Sequence, residues 1–374
     1  MRLTNLLFAI TTGLAIGFAF PSVASAGEED WIRYSLGAKR AMAAANYADA
    51  EQLLKKADKE ADGIANNTSH KAITLGNLSL VYKAKGDYPN AEACARQSVD
   101  LMRKLDKRDD FSFAVALSNL AGILKDQAKF GDAEPMYEGA LAIIGKLRGP
   151  DSSEYATVTD NLALLYMRQG RFKEALPLQV KALATYEKVL GSEHPDVAIA
   201  LGNLAESYKR EGKSKEAIEL LERSLKIMEK VYGDEHPSVA TALDNLACYY
   251  ADQKQLDKAE TLELKAIAIY EKTVGSEHPD MAITLDNLCE VYQKQGRDEE
   301  GKRLRERSLS IAEKTLGVSH PFTLSVRERL EQMRQAKLED KNKIDPTKVK
   351  HDKSSLPEEK DDRIKQAASA SLNH

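Results

Sequence analysis

The residues best suited to chemistry are four histidines in register. His194, His236, His278 and His320 recur every 42 residues, each followed by proline. A zinc ion needs its ligands about 2 Å away. Helices in a stacked array sit about 8–10 Å apart, and a 42-residue step spans a helix pair. Such a spacing cannot gather four imidazoles on one metal, so the pattern predicts helix caps ahead of Pro195, Pro237, Pro279 and Pro321. Cys94, Cys248 and Cys289 form no CxxC and no paired framework, which implies neither a disulfide scaffold nor a metal site. The chain carries no glycine-rich phosphate loop, no GxSxG and no HExxH. Nor does it hold the roughly 100 contiguous non-repeat residues that a catalytic domain needs. The sequence therefore predicts a protein that is not an enzyme, with no cofactor and no bound metal.

What positions these residues is an internal repeat. Asn77, Asn119, Asn161, Asn203, Asn245 and Asn287 lie 42 residues apart, and each precedes a leucine, from Leu78 to Leu288. The next residue is small in every copy (Ser79, Ala121, Ala163, Ala205, Ala247 and Cys289), and five after the asparagine comes tyrosine, except at Leu124. Two further small columns follow, Ala91 to Gly301 and Ser98 to Ser308. Six such units cover 72–323.

Each unit reads as two helices of about 16 residues. One break falls at Gly86, Gly170, Gly212 or Gly296, and the other at the Leu-Gly-x-x-His-Pro segments. At 100° per residue, the leucine, small and tyrosine columns share one face, which is the predicted core, and the asparagine falls outside it. Ala, Leu, Glu and Lys dominate, with only 11 Pro and 21 Gly. The fold class that follows is all-α.

The Asn-Leu-Ala, Tyr, Gly and Leu-Gly-x-x-His-Pro pattern resembles the tetratricopeptide repeat (TPR), in the 42-residue form of the kinesin light chain subclass. The resemblance implies a right-handed α-solenoid of antiparallel helix pairs whose first helices line a concave groove for an extended peptide or partner segment. In clamp-type members an asparagine at this position bonds the peptide main chain. The resemblance implies that role for Asn119, Asn161, Asn203, Asn245 and Asn287, and for Asn77 at the outlying end. An amide both donates and accepts, so it can pair with any peptide unit. The competing reading has each asparagine bonding the neighbouring repeat and setting its register.

Charges on the asparagine side divide along the chain. Lys83, Lys125, Arg168, Lys209 and Arg210 fall in repeats one to four, while Asp244, Asp252, Asp286 and Glu290 fall in repeats five and six. Lys294, Asp160 and Glu206 run against that trend. The expectation is a groove basic at its amino end and acidic at its carboxyl end. A solvated face of mixed charge is the plainer alternative.

The ends differ in character. Residues 1–26 run from Arg2 through an apolar stretch to Ala24 and Ala26, the layout of a cleaved secretory signal. That apolar stretch is shorter than the roughly 20 residues that span a bilayer. Export across the cytoplasmic membrane, to a bacterial periplasm, is the expectation, with no membrane insertion after cleavage. Residues 27–71 read as a degenerate helix pair capping the array, 324–338 as a terminal capping helix, and 339–374, rich in charge with Pro346 and Pro357, as a disordered tail. A net charge of −4 argues against a nucleic-acid partner. The chain is thus expected to be a protein-binding scaffold, or alternatively a self-associating subunit of the cell envelope.

Overall fold

The structure is a computed structural model, and it describes residues 26–64, 67–105 and 110–344. The signal-like segment and most of the charged tail lie outside the described residues.

Fifteen helices and no strand occur among the described residues. They are α1 (Ala26–Ala43), α2 (Tyr47–Ala61), α3 (Thr68–Ala84), α4 (Tyr88–Lys104), α5 (Phe111–Asp126), α6 (Phe130–Arg148), α7 (Ser153–Arg168) and α8 (Phe172–Leu190). Then come α9 (Pro195–Arg210), α10 (Ser214–Tyr232), α11 (Pro237–Asp252), α12 (Leu256–Thr273), α13 (Pro279–Lys294), α14 (Asp298–Thr315) and α15 (Pro321–Ile344). Each helix from α1 to α14 packs on its sequence neighbour, and alternate first helices such as α3 and α5 also touch. The result is the right-handed all-α superhelix of a solenoid. Residues up to Val326 form one unit and those from Arg327 a second. In the second unit, the described part of α15 carries an Arg334–Glu331 ion pair of 2.7 Å.

The periodic columns explain the packing. All six leucines and all six following small residues are buried, as are the small residues from Ala91 to Gly301 and from Ser98 to Ser308. A small residue lets two helices close together, and at Gly301 an added Cβ would sit 3.2 Å from the Cys289 carbonyl oxygen. Serine is accepted at the last column because its hydroxyl donates to a carbonyl across the pair. Ser98 donates to Ala72 at 2.6 Å, Ser224 to Ala198 at 2.7 Å and Ser308 to Ala282 at 2.5 Å. The tyrosine column is less buried than the wheel implies. Tyr166 and Tyr292 are buried, but Tyr82, Tyr208 and Tyr250 are half-buried. Their hydroxyls reach the edge of the pair to meet carboxylates, as in Tyr166 to Glu134 at 2.8 Å and Tyr250 to Glu222 at 2.7 Å.

Turns follow the glycines. Gly86, Gly170, Gly212 and Gly296 have φ between 70° and 78°. Ala128 and Lys254, both at φ 59°, hold the same place in repeats two and five, so the turn tolerates other residues at a small cost.

Two charge ladders, neither read from the sequence, tie each repeat to the next. Lys188 pairs with Asp151 at 2.7 Å and Lys314 with Glu277 at 2.6 Å, with Lys230–Glu193 and Lys272–Glu235 between them. Lys129 meets Glu92 at 2.6 Å, Arg171 meets Glu134 at 2.9 Å and Arg297 meets Glu260 at 2.8 Å.

The histidines are helix caps. Each Nδ1 accepts from the main-chain N–H two residues on: Asp196 at 3.1 Å, Ser238 at 3.1 Å, Asp280 at 3.2 Å and Phe322 at 3.2 Å. An accepting Nδ1 must be unprotonated. Burial holds both His278 and His320 down to about 4. A histidine depressed in the fold stabilises it fully above the unfolded value of about 6.5, and that stability is lost as pH falls from there towards 4. Each of the two should contribute a loss of at most about 3 kcal/mol over that window. Urea unfolding at pH 7 and pH 4.5 measures it. A His278→Asn/His320→Asn variant, which can still cap, should lose less stability on acidification than wild type.

Candidate functional site

The candidate site is the face formed by the first helices, α3, α5, α7, α9, α11 and α13, on which the asparagines recur. They are not equivalent. Asn203 Nδ2 donates to Asp160 Oδ2 at 2.5 Å, and Asn287 Nδ2 to both oxygens of Asp244 at 3.1 and 3.2 Å. Both carboxylates belong to the preceding repeat, at the position just before its own asparagine. Where that position is glycine or serine, at Gly76, Ser118 and Gly202, no such acceptor exists for Asn119, Asn161 and Asn245. Asn77, Asn119 and Asn161 are half-buried and make no hydrogen bond to a described residue through their side chains. Asn245 is buried, with its Nδ2 unpartnered. The column thus splits. Two amides set inter-repeat register, and the rest remain unspent.

The expected groove charges also divide, and several correct the sequence expectation. Lys125, Asp244 and Asp286 are 6%, 3% and 1% exposed, so they lie within the helix layer and do not face a ligand. The −1 position carrying Asp244 and Asp286 points at the second helix of its own pair, where the wheel had placed it on the open side. Asp286 accepts from Arg305 at 2.7 Å, both side chains being nearly inaccessible, and Arg305 also donates to Gln293 at 3.1 Å. Asp252 is bracketed by Lys209 at 2.7 Å and Lys294 at 3.5 Å. Lys209 also lies 4.6 Å from the Tyr249 ring centroid. Arg210 pairs with Glu206 at 2.9 Å on its own helix. Glu290 is half-buried and acts on Glu263 as a like charge. Hence the carboxyl half presents little free negative charge.

The amino half keeps a surplus of positive charge. Lys83 pairs with Asp126 at 2.9 Å, while Lys125 and the exposed Arg168 act on the same carboxylate. Burial lowers Lys125 to about 8; Asp126 opposes that shift, and the like charges of Lys83 and Arg168 add to it. Lys125 also feels Asp160, so three cations face two carboxylates, and the positive charge left over favours an added anion.

One column of functional weight was missed in the sequence. The position 18 after each asparagine reads Ala95, Tyr137, Gln179, Leu221, Glu263 and Arg305, on the second helix. It meets the residue before the asparagine, giving Asp286 against Arg305 and Asp244 against Glu263. In repeat three, Gln179 instead donates to the Asn203 carbonyl at 3.2 Å and accepts from Ser207. Glu263 is fully buried, and neither oxygen receives a hydrogen bond. Burial and then Asp244 push its carboxyl well above the usual range. Burial raises Asp160 to about 6, against the donation from Asn203. The signal was present in the 42-residue register, but only the pairing of helix faces gives it meaning. Among the described residues, no group of three or more His, Cys, Asp or Glu could hold a metal ion, and no helix is long and apolar enough to cross a membrane.

Stacked helix pairs with this register define a class, and the sequence agrees with it. Two family models, each described as tetratricopeptide repeat, match the chain, one over 112–187, 154–230 and 196–272 and the other over 72–105 and 281–322. The chain belongs to the tetratricopeptide repeat family. Among solved structures it is similar to BtubC (BKLC) from P. vanneervenii, at 27% identity over 60% of this chain and 91% of that one, with a TM-score of 0.51. A putative kinesin light chain from Podosopora anserina, with nearly identical TPR-like repeats, is 30% identical over 54% of this chain and 95% of that one, with a TM-score of 0.45. A Rap protein complexed with Competence and Sporulation Factor shares the fold at 18% identity, covering 78% and 77% with a TM-score of 0.61. No curated protein matches. The fold is that of a protein–protein interaction scaffold.

Proposed function

We propose that the chain is a non-catalytic scaffold whose groove binds an extended, acidic segment of a protein partner, mainly through its amino-terminal half. The observation that carries this reading is the run of unspent amides at Asn77, Asn119 and Asn161 beside the cations Lys83 and Arg168. A half-buried amide with no partner among the described residues is poised to pair with a peptide unit, and each such bond is worth about 1 kcal/mol. Asn203 and Asn287 serve the scaffold itself in this reading.

Pull-down from an envelope extract of the source cells separates the two roles. The Asn77→Ala/Asn119→Ala/Asn161→Ala variant, with unchanged helicity, should capture the partner about 100-fold more weakly, as three lost bonds imply. The Asn203→Ala/Asn287→Ala variant should keep capture and lose stability. Equal capture by both would move binding away from the amides. Export to a periplasm belongs to this reading and rests on residues 1–26; amino-terminal sequencing of the mature protein, expected to begin at Gly27, checks it. Self-association in the envelope is the second reading. Its support is an exposed apolar column on the second helices, Leu147, Val189 and Val231, each 44–47% exposed. Light scattering showing a monomer at every concentration would remove it.

A further inference from the structure

The two ends of the array touch. Gly86, in the turn between α3 and α4, lies against the residues that open α15: a Cβ added there would be 2.6 Å from His320 Cδ2 and 3.1 Å from Pro321 Cδ. The same addition at Gly170, Gly212 and Gly296, which hold the same turn position at similar φ, meets nothing within 4 Å. Leu316, five residues before the α15 start, packs against the amino-terminal cluster of Tyr47, Leu54, Leu78 and Val81. The phenol of Tyr47, on α2, feels the carboxyl of Asp280, on α13.

The exposure of the equivalent histidines falls along the array. The His194 side chain is 39% exposed, that of His278 is 12% exposed, and His320 is 2% exposed as a residue. One cap motif thus changes from open to covered as the array approaches its own beginning.

From these contacts we infer that the solenoid carries an end-to-end latch, in which the turn at Gly86 seats on His320–Pro321 and Leu316 docks on the amino-terminal helix pairs, and that the protein exchanges between latched and open forms. The contact is narrow, and it buries His320 Nε2 with no hydrogen-bond partner. An orphaned buried nitrogen regains water when the seam parts, so opening is favoured by polar hydration and opposed by the apolar contact. Binding of a partner along the first helices can then act on the latch without touching it, because any change in curvature is summed over every repeat before it reaches the ends.

Gly86→Lys tests the latch. Lysine is what repeat five carries at this turn, as Lys254 at φ 59°. Gly170→Lys carries the same backbone strain with nothing to strike. Small-angle scattering gives the radius of gyration of the purified protein, and imidazole NMR gives the titration of His320. Wild type and Gly170→Lys should share one radius and keep His320 neutral down to about pH 4. Gly86→Lys should show a larger radius and a His320 titration moved towards the ordinary value of about 6.5. An unchanged radius and titration in Gly86→Lys, a change in only one of them, or equal expansion of Gly170→Lys would overturn the inference. If Gly86→Lys loses helicity, Leu316→Ala replaces it, with Leu190→Ala, the same column in repeat three, as its control and the same outcomes.

Discussion

Arg305→Met should unfold the protein at markedly lower urea concentration, losing about 3–5 kcal/mol. The substitution leaves Asp286, 1% exposed, without its main cationic partner in a region water does not reach. Breaking one side of a buried pair costs far more than the pair contributes, because the desolvation of the remaining charge is no longer offset. The double substitution Asp286→Ala/Arg305→Leu should recover most of that loss. It approaches the arrangement that repeat four already uses, where Gly202 faces Leu221. A double variant as unstable as Arg305→Met would show that the ion pair specifies the α13–α14 geometry itself.

Glu263→Gln should act in the opposite direction, stabilising the protein at pH 8 by about 1–3 kcal/mol. In the wild type two carboxyls share a dry site, where burial and then Asp244 push the Glu263 carboxyl well above the usual range. A carboxyl raised in the fold gives stability that is complete below the unfolded value of about 4.3 and is lost as pH rises through the folded value. Above the window in which His278 and His320 titrate, the wild type should therefore weaken as pH climbs from 6.5 to 8.5. The glutamine variant, whose amide can donate to Asp244 at any pH, should not. Gln179 already fills this position in repeat three, so the side chain suits the site. Urea midpoints across that range decide the matter, and a variant less stable than wild type at pH 8 would sink the argument.

The repeat, its two-helix content, the leucine and small columns and the histidine caps were all legible in the sequence, because each depends on local periodicity or on contacts within one turn. Lys125, Asp244 and Asp286 were misread because a single helical wheel shows which way a residue faces without showing what stands opposite. Asp286 looked like a groove carboxylate until Arg305, 19 residues on, was seen beside it. The Lys188–Asp151 type of ladder was invisible for a similar reason: its charges recur plainly, but a 37-residue partner emerges only once the repeats are stacked. The division of the asparagines followed from one neighbouring position, Asp or Gly/Ser, whose relevance needed the inter-repeat distance. Contact between the ends lies furthest from local reading, since it is the sum of small rotations over the whole array.

That meeting of the ends has a consequence for how such a chain can change by duplication. Every internal boundary is built from the same columns, so inserting or deleting 42 residues would leave each boundary intact and the local stability nearly unaltered. The Gly86–His320 contact is different, because it is satisfied at one repeat number alone. A copy too many would carry the last turn past the first, and a copy too few would leave it short. The seam therefore acts as a gauge of length in a molecule whose other interfaces are indifferent to it.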